Sequence, residues 1–274
     1  MNGVNGLHRR RPELVEGFLD HDLPYFAWGS GPPLVYLRGF STTNANPTGM
    51  QRSFEVRMMR SLSQQFHVHA VTRPAHLPAD VTMADIATWH ADAILDRFDG
   101  PVDVLGVSSG GSVALQLAAD HPQTVHRMVV AASGYTMSTP ARIAQMRYVT
   151  AIAEGRRGAH YLAPQKVSTR AVALPLGAVM WLLDPLLRPK DPSDMVAFAR
   201  AEDTFNLEDR LREISAPLLV IAGGRDSVYP ADIVRDTAAH VQHGKLLVYA
   251  SAGHGGTITS RTFGRDVADF LSET

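Results

Sequence analysis

The 274-residue sequence contains no cysteine. That excludes a thiol nucleophile, a disulfide framework and zinc held by cysteine thiolates. It also lacks an excess of either charge: 26 Lys and Arg against 27 Asp and Glu leave a formal net charge of -1. A face basic enough to hold nucleic acid is therefore not expected. The one basic run, His8-Arg9-Arg10-Arg11, is short and terminal, and it reads as a solvated tail. Residues 1–20 have no apolar core of the secretion-signal kind. The most apolar stretch, Ala171 to Leu187, is interrupted by Pro175, Asp184 and Pro185 and is too short and broken to span a membrane. A cytoplasmic location, with neither a nucleic-acid partner nor a membrane span, is the expectation.

Cofactor signatures are missing too. Gly106 to Gly111 is not followed by the Gly-Lys-Ser/Thr of a phosphate loop, and the glycine spacing is wrong for a dinucleotide fingerprint. His67 and His69 alternate on one strand face, but no third metal ligand lies nearby in sequence. No cofactor and no metal are expected.

What is present is a globular composition, 45% hydrophobic and 19% charged. Short apolar runs alternate with helical patterns, which implies an α/β fold: a mostly parallel central sheet with helices on both faces. The strand runs are 34–37, 66–71, 102–107, 127–132, 217–222 and 245–249. Helical patterns cover 83–98, 109–120, 231–240 and 257–272, with Thr82 and Asp85 spaced to cap the first. Phe18 to Trp28 reads as one or two antiparallel edge strands. Residues 133–216 break the rhythm, and a structureless loop of that length is improbable in a compact domain. The division expected is a core of 1–134 and 213–274 with a helical lid inserted at 135–212. Leu174, Leu176, Val179, Met180, Trp181, Leu182 and Leu186 fall in that lid. Most of them are expected to pack inward, with Trp181 as a candidate pocket residue.

Three stretches carry chemistry. In the first, a strand ends in Gly106-Val107-Ser108-Ser109-Gly110 and a helix begins at once. A serine on so sharp a turn has crowded neighbours two residues either side, where only small residues fit. The helix that follows aims free N–H groups at developing negative charge. Ser109 competes as nucleophile, but Val107 would then occupy a tight slot, so Ser108 is preferred. In the second, the strand 217–222 runs through Gly223-Gly224 to Asp226, at the sheet end where catalytic groups of open parallel sheets gather. Asp226 reads equally well as a turn residue. In the third, His254 follows the last strand inside Gly253-His254-Gly255-Gly256. Glycines there let the loop approach the nucleophile, and histidine suits proton transfer near neutral pH.

The order Ser108, Asp226, His254, each after a predicted strand, resembles the α/β-hydrolase superfamily from about Phe18 to the C-terminus, apart from the lid. The resemblance implies a serine hydrolase in which Ser108 attacks a carbonyl, His254 shuttles its proton and Asp226 orients the imidazole. It implies oxyanion donors at the backbone N–H groups of Phe40 and Ser109. Arg38 stands where relatives carry histidine, either as a structural replacement or as positive charge for an acidic substrate. Val107 flanks the nucleophile and shapes the acyl pocket. The expected substrate is a small-molecule carboxylic ester with an apolar group. Carbon–carbon hydrolysis, thioester cleavage, acyl transfer and non-catalytic ligand binding use the same framework.

Overall fold

Along the central strands successive side chains enter opposite cores, as the two-residue period of a strand demands. Val35 and Leu37 pack on one side of the sheet, Leu34 and Tyr36 on the other. Val104 and Leu105 divide in the same way. Both faces are dry, which is why these strands appear in the sequence as unbroken apolar runs. The computed structural model describes residues 14–167 and 170–273, and the basic run at 8–11 lies outside them.

The strands are β1 (Val15–Leu19), β2 (Leu23–Gly29), β3 (Pro33–Leu37), β4 (His67–Val71), β5 (Val102–Val107), β6 (Val125–Ala131), β7 (Leu218–Gly223) and β8 (Gly244–Tyr249). They form one sheet of order β1-β2-β4-β3-β5-β6-β7-β8. β1 and β2 are antiparallel to their neighbours, and β3 to β8 run parallel. The expected α/β class is what the chain adopts. Pro24 lies at the start of β2, which is flanked by β1 and β4, so only β1 is a true edge on that side.

The helices are α1 (Gly49–Met58), α2 (Met83–Arg97), α3 (Ser109–Asp120), α4 (Thr139–Ala153), α5 (Ala163–Lys166), α6 (Arg170–Leu187), α7 (Ser193–Asp203), α8 (Ala231–His240), α9 (His254–Ile258) and α10 (Phe263–Leu271). Residues of α2, α3 and α8 join one core; Phe263, Val267 and Phe270 of α10 join the other. Thr82 and Asp85 form a reciprocal capping box at the start of α2. The expected helix over 257–272 is two helices. Thr259, Ser260 and Thr262 interrupt it with local side-chain hydrogen bonds, Thr259 to the Gly255 carbonyl and the Thr262 N–H to Ser260 Oγ.

α4 to α7 lie between β6 and β7. α6 departs from expectation: Leu174, Leu182, Leu186 and Leu187 are exposed rather than packed inward. The helix rests on α5 and on the 3-10 turn Ala159–Leu162, not on the sheet, so only a narrow face can be covered. Among the described residues no helix is long and apolar enough to cross a membrane.

Candidate active site

The strand-to-helix turn between β5 and α3 forces Ser108 into φ 52, ψ −126, a conformation that L-residues rarely adopt. Strain of this kind persists only where the surroundings over-determine it. The constraint here is the packing of the turn's glycines. A Cβ on Gly110 would sit 2.1 Å from the Leu37 carbonyl oxygen, and one on Gly106 would sit 2.6 Å from that of Gly110. The end of β3 is thereby pressed against the turn.

Ser108 Oγ lies 2.9 Å from His254 Nε2, and His254 Nδ1 lies 2.9 Å from Asp226 Oδ2. Asp226 is 5% exposed. Its other oxygen accepts from the N–H groups of Val228 (2.8 Å) and Tyr229 (3.3 Å). One Asp226 oxygen thus closes a turn while the other meets the imidazole. The Tyr229 ring stacks on His254, centroids 6.0 Å apart.

His254 is the first residue of α9 rather than a member of an open glycine loop. Gly255 and Gly256 beside it do not supply the close approach expected of them. A Cβ on Gly255 would touch nothing, and one on Gly256 would make ordinary contact with Ala252. Close approach is needed instead at Gly223 and Gly224, where a Cβ would fall 2.6 and 2.7 Å from the carbonyl oxygens of Ala252 and Ala250. The exits of β7 and β8 touch there, which carries Asp226 to His254.

Ser109 is 2% exposed, and the hydroxyl that meets the imidazole is that of Ser108. The Ser109 N–H occupies the first position of α3, where no carbonyl of the helix can accept it. The Arg38-Gly39-Phe40 segment leaves β3 beside the nucleophile, and a Cβ on Gly39 would lie 3.4 Å from that of Ser108. Arg38 is buried and donates through Nε and Nη2 to Glu55 (2.9 and 2.8 Å) and through Nη1 to the Ala45 carbonyl (3.1 Å). Of its two readings, the geometry matches the structural one. Below it Arg73 donates to Ser41 Oγ (2.9 Å), Asn44 Oδ1 (3.3 Å) and the Gly39 carbonyl (3.4 Å), with its guanidinium 3.8 Å from the Phe198 ring. Burial draws Arg73 down to about 10, and nearby Glu202 opposes that shift.

A cavity of about 340 Å³ opens on Ser108 and His254. Phe40, Phe54, Met58, Met137, Leu162 and Ile258 give it apolar walls, and Arg38 and Val107 also reach it. Trp181 does not reach it. The indole is half exposed on α6 with the Arg157 guanidinium 3.9 Å above it, because the inner face of α6 is taken up by the turn beneath. Sequence reasoning missed Glu55, Arg73, Gln145, Gln165 and Glu202. All five belong to segments with no motif; folding brings Glu55, Gln145 and Gln165 to the cavity wall and sets Arg73 and Glu202 against lining residues Ser41 and Gln145.

A family model described as "Alpha/beta hydrolase family" matches residues 11–268. The chain belongs to the alpha/beta hydrolase family. Among curated relatives it is similar to the pimeloyl-[acyl-carrier protein] methyl ester esterase of Nitrosomonas europaea, 27% identical over 239 residues, covering 82% of this chain and 90% of that protein. It is also similar to the (E)-2-((N-methylformamido)methylene)succinate hydrolase of Acinetobacter baylyi, 25% identical over 249 residues, covering 86% of this chain and 88% of the other. Among solved structures it shares its fold with MGS-M2, an alpha/beta hydrolase enzyme from a deep-sea metagenome library. The TM-score is 0.74 at 20% identity, with 96% of this chain and 94% of that one covered. An esterase from Exiguobacterium antarcticum gives 0.71 at 18% identity, covering 94% and 100%.

Proposed function

We propose that the protein is a serine hydrolase working through Ser108, His254 and Asp226, with a carboxylic ester bearing an apolar group as its substrate. The observation that carries this reading is the unbroken relay from Ser108 Oγ to His254 Nε2 and from His254 Nδ1 to Asp226 Oδ2, each step 2.9 Å. His254 takes the Ser108 proton as Oγ attacks the ester carbonyl, then returns it to the leaving alcohol. Asp226 fixes the imidazole tautomer and stabilises the imidazolium formed in between. The N–H groups of Phe40 and Ser109 receive the oxyanion, and a donor of this kind is worth about a hundredfold or more in rate. Water, activated by the same imidazole, then releases the acid from the acyl-enzyme.

Residues 135–212 act as the lid over this centre. Met137, Gln145, Leu162 and Gln165 from that segment line the cavity, which supports the role. The name of one relative, a methyl ester esterase, points the same way, and that of the other, a succinate-derivative hydrolase, supports hydrolysis alone. A p-nitrophenyl ester series together with fluorophosphonate labelling tests the proposal. Turnover and stoichiometric labelling are expected, both abolished in Ser108→Ala. Folded protein that turns over no ester and takes no label would sink it.

A further inference from the structure

The polar groups of the cavity restrict its contents more sharply than its apolar walls do. Besides the imidazole, its described lining holds one cation and one carboxyl group, Arg38 and Glu55, and these two bind each other. Nε and Nη2 are on Glu55 and Nη1 is on Ala45, so three of the five N–H donors are committed and the charge is already neutralised by a carboxylate. Arg73 is committed to Asn44, Gly39 and Ser41 and lies behind the wall. Among the described residues, then, the cavity offers no free cation. A carboxylate entering it would lose hydration without gaining an ion pair, which is costly.

Of the three glutamines in the lining, Gln51 is exposed on α1, and the other two supply the opposite chemistry. Gln165 Nε2 donates to the Ala141 carbonyl at 3.1 Å. A carbonyl only accepts, so the amide orientation is settled and Gln165 Oε1 is left over. Gln145 sits one turn after Ala141 on α4 and so on the same face. Its Nε2 donates to Glu202 Oε2 at 2.8 Å. Glu202 is 1% exposed and its Oε1 has no partner; burial pushes its carboxyl above the ordinary range, and Gln145, Ser109, Arg73 and His254 oppose that shift. Neither glutamine oxygen receives a hydrogen bond among the described residues, and both residues line the cavity.

Building on the hydrolase reading, we propose that the cavity selects an uncharged ester carrying an N–H or O–H donor away from the reacting carbonyl. The carbonyl oxygens of Gln145 and Gln165 receive that donor, and carboxylate-bearing esters are rejected.

p-Nitrophenyl esters of one chain length, ending in methyl, N-methylamide, N,N-dimethylamide or carboxylate, test this. The N-methylamide is expected to exceed the N,N-dimethylamide in kcat/KM by about tenfold. The carboxylate is expected to fall about a hundredfold below the methyl-ended ester. The ratio between the two amides drops toward one in Gln145→Met and in Gln165→Met. Gln165 is only partly buried, so its variant keeps the test alive if loss of the Gln145 contact to buried Glu202 harms folding. Equal rates for the two amides, or a carboxylate as fast as the methyl ester, would overturn the proposal and leave the hydrolase reading standing. No turnover of any of the four, with no labelling of Ser108, would overturn both.

Discussion

Arg38 and Glu55 are joined by two hydrogen bonds, with side chains 5% and 10% exposed. Removing one partner of a dry pair strands a charge, and that costs far more than the pair contributes. Arg38→Met is expected to lose about 3–5 kcal/mol of stability in urea unfolding. The double variant Arg38→Met/Glu55→Met should recover most of it. A loss within about 0.5 kcal/mol, the range of an ordinary surface substitution, would show that the pair has no structural role. Sequence alone left two readings of Arg38 open because its partner lies 17 residues away. That partner sits on α1, which no pattern announced: it starts at Gly49 without a side-chain cap, and Met50 is exposed. Ser108 was legible without a partner because Gly106 is required by the turn itself, where a Cβ would meet the Gly110 carbonyl, although the demand on Gly110 comes from β3.

At the scale of elements, α2 and α6 mark the two extremes. The capping box of α2 involves residues three apart in sequence, so Thr82 and Asp85 are readable without the fold. The attachment of α6 is not local. Asp184, 1% exposed, accepts from the N–H groups of Gly158 (2.9 Å) and Ala159 (2.8 Å) and from Arg188 Nη2 (2.7 Å). These bonds hold its carboxyl below the ordinary carboxylate range against the opposing effect of burial. They tie α6 to the segment before α5, in a helix that buries little apolar surface. Asp184→Ala should therefore loosen α6 while the sheet stays folded. The expected result is limited proteolysis between α4 and α7 that is about tenfold faster, from roughly 1.4 kcal/mol or more of lost local stability. An unchanged cleavage rate would count against the tether.

Over the whole molecule the balance of acid and base groups sets the response to pH. His90 is 3% exposed within α2, its Nδ1–H donating to the Ile86 carbonyl at 2.7 Å. Burial pulls it from the usual 6.5 down to about 4, with Arg73 adding to the shift and the Ile86 hydrogen bond opposing it. His69 is lowered to about 4 as well, by burial first and then by His67 and Arg97. Both are neutral when folded and take up a proton on unfolding below 6.5. Their contribution is therefore complete above about pH 6.5 and is lost as the pH falls toward 4. For His90 alone this is on the order of 3 kcal/mol. His90→Gln should flatten the fall in urea-measured stability across that window relative to the parent. Parallel curves for the two proteins would refute the assignment.

The sequence by itself determined the sheet, its two dry faces and the positions of Ser108, Asp226 and His254 along the chain. Strand period, turn sterics and helix caps act between residues a few positions apart, so they leave a local record. Tertiary structure alone decided that Gly223 and Gly224, rather than Gly255 and Gly256, permit the close approach of the two strand exits. It alone paired Arg38 with Glu55, set Gln145 and Gln165 in the cavity wall and turned Trp181 outward. Those outcomes depend on which distant surfaces meet, and a buried charge or a free amide oxygen is defined only by its neighbours in space.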